Sequence, residues 1–506
     1  MSRDRYQRTP VGTTTNRISI AASFPKTSLC CLSVLFLLFA CASSPAVNRP
    51  TALDTYVHAP DPYYRFHAVQ QTEHAGYTFS LLQMTSQKWR TAKEVNRTLW
   101  QHWVTIYKPT KVTSTTGMLF ITGGSNNGHP PGVDPDFASI ATVSHTVVAV
   151  VYDVPNQPLT FSHDPFGPRH EDELIAYTWK KYLDTGDATW LARLPMTKAA
   201  VKAMDTVTSY SATAKGGGVK VNRFVVAGAS KRGWTTWTTA AVDPRVVAIV
   251  PMVIDVLNMG PQLIHHYRSY GFWSPAVADY YNMGLLNEAN SPGFHKLGTI
   301  VDPYSYRARY TMPKLIINAA AGQYFLPDSS QFYFSQLPGE KYLRYMPNAN
   351  HSLKATDVIE NLTAFYLSIV NHSGRPQFGW KFEPDGDIRV TTREKPIEVK
   401  LWQATNPNHR DFRADWVGPL YRSSILQPST PGVYVAHITT PAKGWTAFFV
   451  ELIYPGPQKD YPFHFTTAVR VLPNTEPYPS PIPGKTKLGP DPNPDRWVAP
   501  DKVPNP

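Results

Sequence analysis

The sequence predicts an α/β protein built on a doubly wound, mostly parallel sheet with a helical insertion, followed by a C-terminal β-sandwich module. Three observations carry this. Between residues 117 and 370, short apolar β-branched runs alternate with helical patterns, as parallel sheets require. One run, Phe224 to Ala227, stops abruptly at Gly228-Ala-Ser-Lys-Arg-Gly233 and continues into a Thr/Ala-rich helical segment. After residue 375 the pattern changes to short, alternating strands with close turns, the signature of a sandwich.

Residues 1–28 are polar and basic, and Leu29 to Ala40 form an apolar block containing Val34-Leu-Phe-Leu-Leu-Phe39. The block is short for a membrane span and fits a signal peptide over residues 1–42. Leu38-Phe-Ala-Cys41 is similar to a bacterial lipobox, with Phe39 where a small residue is usual. Two expectations stay open: lipidation of Cys41, or cleavage after Ala40 or Ala42 and release. Both export the protein, as a periplasmic, membrane-anchored or secreted species. The only membrane contact expected is through a lipid on Cys41.

Cys30, Cys31 and Cys41 are the three cysteines of the 506-residue chain. The globular part therefore has no disulfide, thiol nucleophile or Cys-based metal site. The net charge of +12 includes no dense basic run, so it reads as surface solvation rather than nucleic-acid binding. No metal or organic cofactor is implied, and oligomeric state is not readable.

An α/β domain is expected over residues 50–373. Ser80–Trp89 and Trp103–Tyr107 read as antiparallel entry strands, and Gly117–Thr122 as the first buried parallel strand. Gly123-Gly124 follows it, where backbone N–H groups can face a developing oxyanion. Thr146–Tyr152 is a further central strand, ending in the proline-bound loop Asp153–Pro158. Residues 171–183 and 195–210 read as helices. Beyond the Ser230 turn, Val246–Val256, Lys314–Asn318 and Lys341–Met346 are strands, and residues 257–310 are an aromatic helical insertion. His351 opens the segment after the last of these strands, ahead of a helix reaching about Asn371.

A strand that turns sharply at a serine into a helix exposes the hydroxyl above the sheet edge, as in a nucleophile elbow. The usual pattern is Gly-x-Ser-x-Gly. Here Arg232 holds the place of the second glycine and Gly233 comes one later. An ordinary capping serine gives the same pattern. The order serine, acid, histidine supports the first reading, since it is the α/β-hydrolase order. In that chemistry a base takes the serine proton, and a carboxylate fixes the imidazole tautomer. Ser230 is then the nucleophile and His351 the base. Lys231 N–H with Gly123 and Gly124 forms the oxyanion hole. Lys231 and Arg232 side chains either favour an acidic substrate group or form ion pairs.

The sandwich is expected over residues 375–472, from strands at 377–382, 388–392, 397–402, 432–438, 447–453 and 463–467. Residues 473–506 read as an extended Pro-rich tail.

Several stretches together carry a family resemblance. They include Leu82-Gln-Met-Thr-Ser-Gln-Lys-Trp89, Trp190-Leu-Ala-Arg-Leu-Pro-Met-Thr-Lys198, Ala227-Gly-Ala-Ser-Lys-Arg-Gly-Trp234, Phe325-Leu-Pro-Asp328, Asn348-Ala-Asn-His351 and Arg410-Asp-Phe-Arg413. Over about residues 52–475 the chain resembles the PhoPQ-activated pathogenicity-related protein family. The resemblance implies an exported, α/β-hydrolase-like protein, similar in outline to serine esterases and peptidases. Some members look like signalling or resistance factors. It also implies an acid just before the aromatic pair Tyr324-Phe325, but Gly322 stands there. Asp255, at a strand end, and Asp328, just beyond the aromatic pair, are the remaining choices. Two functions follow as expectations. One is a serine hydrolase acting on an ester or amide. The other is a catalytically weak or inactive scaffold acting in binding, virulence or envelope resistance.

Overall fold

The computed structural model describes residues 50–490. The leader, with its cleavage and Cys41 expectations, lies outside the described residues, as does the tail beyond 490.

Nine strands build the central sheet: β1 (Arg65–His74), β2 (Tyr77–Lys88), β3 (Leu99–Pro109), β4 (Thr116–Ile121), β5 (Val148–Val151), β6 (Arg223–Ala229), β7 (Val246–Met252), β8 (Lys314–Ala319) and β9 (Lys341–Met346). Their spatial order is β1-β2-β3-β5-β4-β6-β7-β8-β9. The first three are antiparallel, and every neighbouring pair from β5 to β9 is parallel. This is the α/β-hydrolase arrangement, a doubly wound sheet with its order reversing at β4/β5.

Burial explains the apolar runs. Every residue of β5 is fully buried, because helices cover both faces. Alternate β6 residues, Phe224 and Val226, enter the core under helices Glu171–Thr185, Arg193–Ser211 and Lys231–Val242. Val225 and Ala227 enter the opposite core, with helices Pro135–Ser144 and Val358–Val370. The loops after parallel strands all emerge at one edge, and there the site residues gather.

Residues 257–310 form the expected helical insertion, including helices Met259–Tyr270 and Pro292–Val301. Among the described residues, no helix is long and apolar enough to cross a membrane.

The C-terminal strands are β10 (Phe378–Phe382), β11 (Ile388–Thr392), β12 (Glu398–Asn406), β13 (Arg422–Ile425), β14 (Val433–Ala436), β15 (Trp445–Gln458), β16 (Tyr461–Thr466) and β17 (Arg470–Leu472). β10-β11-β14 form one antiparallel layer. Ile388, Val390 and Tyr434 of this layer share a core with Phe448, Val450 and Leu452 of β15. The second layer does not stand apart as the sequence reading pictured. β16 pairs with β9 at Thr466–Leu343, so β16, β15, β12 and β13 continue the central sheet. The Pro-rich stretch from 473 is extended but not free. It crosses the insertion, with Trp273 N–H bonding Lys487 O and Gly489 N–H bonding Trp273 O.

One buried ion cluster fastens the two parts. Arg344 of β9 donates to Glu451 of β15 at 2.7 Å and to Asp357 at 2.9 Å. Glu451 also accepts from Trp402 Nε1 at 2.6 Å. Burial opposes ionisation of Glu451. Its bond to His464 and the charge of Arg344 still lower its pKa to about 2. Removing one partner of such a cluster strands the other charge. Arg344→Ala should therefore cost about 3–5 kcal/mol, measured by urea unfolding at pH 7. Glu451 ionises more easily folded than unfolded, so its contribution is present at neutral pH. It should fade as pH falls from about 4.5 toward 2, and the variant should lose stability less steeply over that range.

Candidate active site

The Ser230 turn is a strained elbow. Ser230 sits at φ 58°, ψ −124°, between β6 and helix Lys231–Val242. A non-glycine residue at positive φ is costly and needs surrounding contacts to hold it. Ser230 N–H bonds Met252 O at 2.8 Å, and Trp234 N–H bonds Ser230 O at 3.0 Å. The displaced glycine has a steric reason. A Cβ on Gly233 would lie 2.7 Å from Met252 O and 3.0 Å from Gly228 O. The helix can start tight against β6 and β7 only with glycine there.

His351 lies in the loop after β9, with its Nε2 2.8 Å from Ser230 Oγ. Its backbone N–H is held by Gln323 Oε1 at 3.0 Å. Tyr324 packs on the ring at 4.3 Å between centroids. Burial, reinforced by the Lys231 charge, lowers the His351 pKa to about 3. The ring is therefore neutral at physiological pH, with Nε2 able to accept the serine proton.

The acid is where sequence and structure part. Among the described residues, no carboxylate hydrogen-bonds His351. Asp255 Oδ1 accepts from Tyr333 Oη, and Oδ2 from Tyr345 Oη, each at 2.6 Å. Burial lifts its pKa to about 7 despite both hydroxyls. Asp328 is committed elsewhere. Its oxygens meet His265 Nε2 at 2.9 Å and Arg410 Nη2 at 2.6 Å. Against burial, Arg410 and His265 hold it well below the usual carboxylate range. Asp328 as partner of His351 is thus corrected: it fastens the insertion and the 410–413 segment. It makes no side-chain cap on the short helix that follows either.

The expected oxyanion donors sit at the same sheet edge. Gly123-Gly124 follows β4, and Lys231 is the first residue of the elbow helix, ahead of the intrahelical bonds. Gly123 permits a close approach: a Cβ there would lie 2.7 Å from Cζ of Arg232. Gln157 Nε2 donates to Gly124 O at 3.0 Å and to Glu171 Oε1 at 2.6 Å, steadying the turn.

The charges beside Ser230 are paired internally. Lys231 Nζ meets Asp172 at 2.8 Å and Glu171 at 3.1 Å. Arg232 is bidentate on Glu171, at 2.6 and 2.8 Å. Against burial, Arg232 and Lys231 hold Glu171 well below its usual range. Of the two sequence options, ion pairing is the one observed, and it is buried. Glu171, Asp172 and Arg193 escaped the sequence reading. The adjacent acids at a helix start were the available signal for the first two. Arg193 donates to Lys231 O at 3.1 Å and lies over Trp234 at 4.2 Å.

Ser230 opens onto a cavity of about 80 Å³. Its lining includes Trp179, Trp234, Met259, Leu286, Phe294 and Phe325, so insertion and sheet edge both contribute. Among the described residues no group of three or more His, Cys, Asp or Glu is placed to hold a metal.

The arrangement fits the elbow chemistry: a half-buried hydroxyl on a strained turn, a neutral base on it, and an apolar chamber beside it. Gly233→Ala should force the helix away from Met252 O, at about 1–3 kcal/mol of stability. It should also slow any Ser230-dependent reaction, read by thermal unfolding and by a serine-directed probe.

A family model described as PhoPQ-activated pathogenicity-related protein matches residues 53–413. The chain is 39% identical over 459 residues to Autocrine proliferation repressor protein A of Dictyostelium discoideum, covering 85% of this chain and 92% of that protein. Acetyl xylan esterase 1 from Thermoanaerobacterium sp. JW/SL YS485 superposes with TM-score 0.45 and 16% identity, over 63% of this chain and 94% of that one. A glucuronoyl esterase from Solibacter usitatus gives 0.37 and 13%, over 62% and 86%.

Proposed function

This chain belongs to the PhoPQ-activated pathogenicity-related protein family, and from that premise we propose that it is an exported serine hydrolase of esters or amides with an apolar acyl or leaving group. The observation that carries the reading is the 2.8 Å contact of His351 Nε2 with Ser230 Oγ on a strained elbow. Strain held at such a point argues for use rather than accident. Ser230 attacks the carbonyl carbon while His351 takes its proton. The oxyanion is met by Lys231 N–H and the Gly123-Gly124 turn. His351 then protonates the leaving group, and water releases the acyl group by the reverse sequence. The apolar chamber favours an uncharged, hydrophobic group beside the reacting carbonyl, since Lys231 and Arg232 are already neutralised. Export rests on the apolar block Leu29–Ala40 and the small residues after it.

One observation favours a second reading, that of a weak or inactive hydrolase scaffold acting as a binding or signalling factor. It is the lack of a carboxylate on His351 among the described residues. The name of the Dictyostelium relative, a proliferation repressor, is in keeping with it.

A fluorophosphonate probe separates the two. The hydrolase reading expects stoichiometric labelling of folded protein, none in Ser230→Ala, and a loss on the order of 10³-fold or more in His351→Ala. Absence of labelling in folded wild type supports the scaffold. The pH profile adds a check. An imidazole with a pKa of about 3 stays a free base well below the 6.5 of an exposed histidine. Labelling should therefore hold nearly level from pH 7 to 5, where an unperturbed histidine would lose most of its rate.

A further inference from the structure

We infer that Asp255 orients His351 indirectly, across a small cavity between them, with Asn318 holding the bridging water in the place of the carboxylate that Gly322 does not supply. The inference rests on the hydrolase reading and deepens it.

The cavity lies at the ends of neighbouring parallel strands. Asp255 follows β7, Asn318 is near the end of β8, Gly322 is in the next loop and His351 follows β9; all four line it. Its size is about that of one water. His351 uses Nε2 for Ser230, which leaves Nδ1–H as the donor to be satisfied. A carboxylate normally does this, keeping the tautomer in which Nε2 can accept.

Asn318 is the independent sign of a polar guest. It is 2% exposed, and neither its Oδ1 nor its Nδ2 has a hydrogen-bond partner. Tyr333 lies close, without a bond of good geometry. A buried amide left unpaired is costly, and native structures usually satisfy it with protein or ordered water. Asp255 has capacity as well. Each oxygen takes one tyrosine hydroxyl, and each can accept a second bond. A buried water needs roughly 2–4 polar partners. Asn318, Asp255 and His351 Nδ1–H supply that number.

Gly322 completes the case. A Cβ there would meet only Ala319, at 3.4 Å from its Cβ and 3.6 Å from its O, which is ordinary contact. A longer side chain could enter the cavity from this position. The site therefore has two routes to one end: a direct acid at 322, or Asp255 acting across the gap.

The test uses full-length protein, the fluorophosphonate labelling rate and the imidazole ¹⁵N–¹H spectrum. The His351 Nδ1–H resonance is assigned by its loss in His351→Gln. Asp255→Asn should slow labelling by about 10–100-fold, with the unfolding midpoint close to wild type, and should move the Nδ1–H resonance. Asn318→Leu should move the same resonance. In a Gly322→Asp background, Asp255→Asn should have little effect on the rate. An unmoved resonance in both single variants overturns the inference, as does an equal loss from Asp255→Asn in both backgrounds. If wild type does not label but the resonance moves in Asp255→Asn, the coupling stands and the hydrolase reading fails.

Discussion

The structure depends on one backbone constraint, the positive φ of Ser230 where β6 becomes a helix. Such a conformation costs on the order of 1–3 kcal/mol, and it is held by parts that are otherwise routine. β7 offers Met252 O to Ser230 N–H. Gly233 lets the helix close on that same carbonyl. Once this turn is fixed, the hydroxyl faces the loop after β9, and His351 needs only a short reach. The large cores on either side of the sheet keep the strand ends in register, so the strain is carried by the whole domain.

Electrostatics then divide the site into two compartments. On one side, Lys231, Arg232, Glu171 and Asp172 neutralise one another in a buried cluster beside the elbow. They stiffen the first turn of the helix by pairing two cations with two carboxylates. On the other side, Tyr333 and Tyr345 hold Asp255 in a poorly solvated corner where its proton is easily retained. His351 stands between these environments, and its lowered pKa comes from the same exclusion of water.

Much of this could be read from the residues. The β-branched runs located β4 through β9 because strands covered on both faces have no polar period to obscure them. Lys341–Met346 and Ile388–Thr392 match their strands end to end. The positions of Ser230 and His351 at the sheet edge could be anticipated because Ser230 follows buried β6 directly and His351 lies in the loop after buried β9. What failed depended on partners distant in sequence. Asp328 looked available until His265 and Arg410 claimed its two oxygens, 63 and 82 residues away. β1, with mostly exposed residues, carries no period strong enough to mark it. The fusion of the C-terminal layer with the main sheet turns on the β16–β9 pairing, which no local pattern announces.

That pairing has a practical meaning. β9 is the last parallel strand, and an uncovered strand edge is a template for joining other chains. Here β16 and the strands beyond it occupy that side, so the C-terminal module serves as a sheath as well as a brace. Ending the chain near residue 373 would strip the sheath and also remove Glu451, leaving Arg344 without its buried partner. The two halves are therefore not separable cassettes. A shortened form would expose a sticky margin, and its self-association would say little about the α/β domain itself.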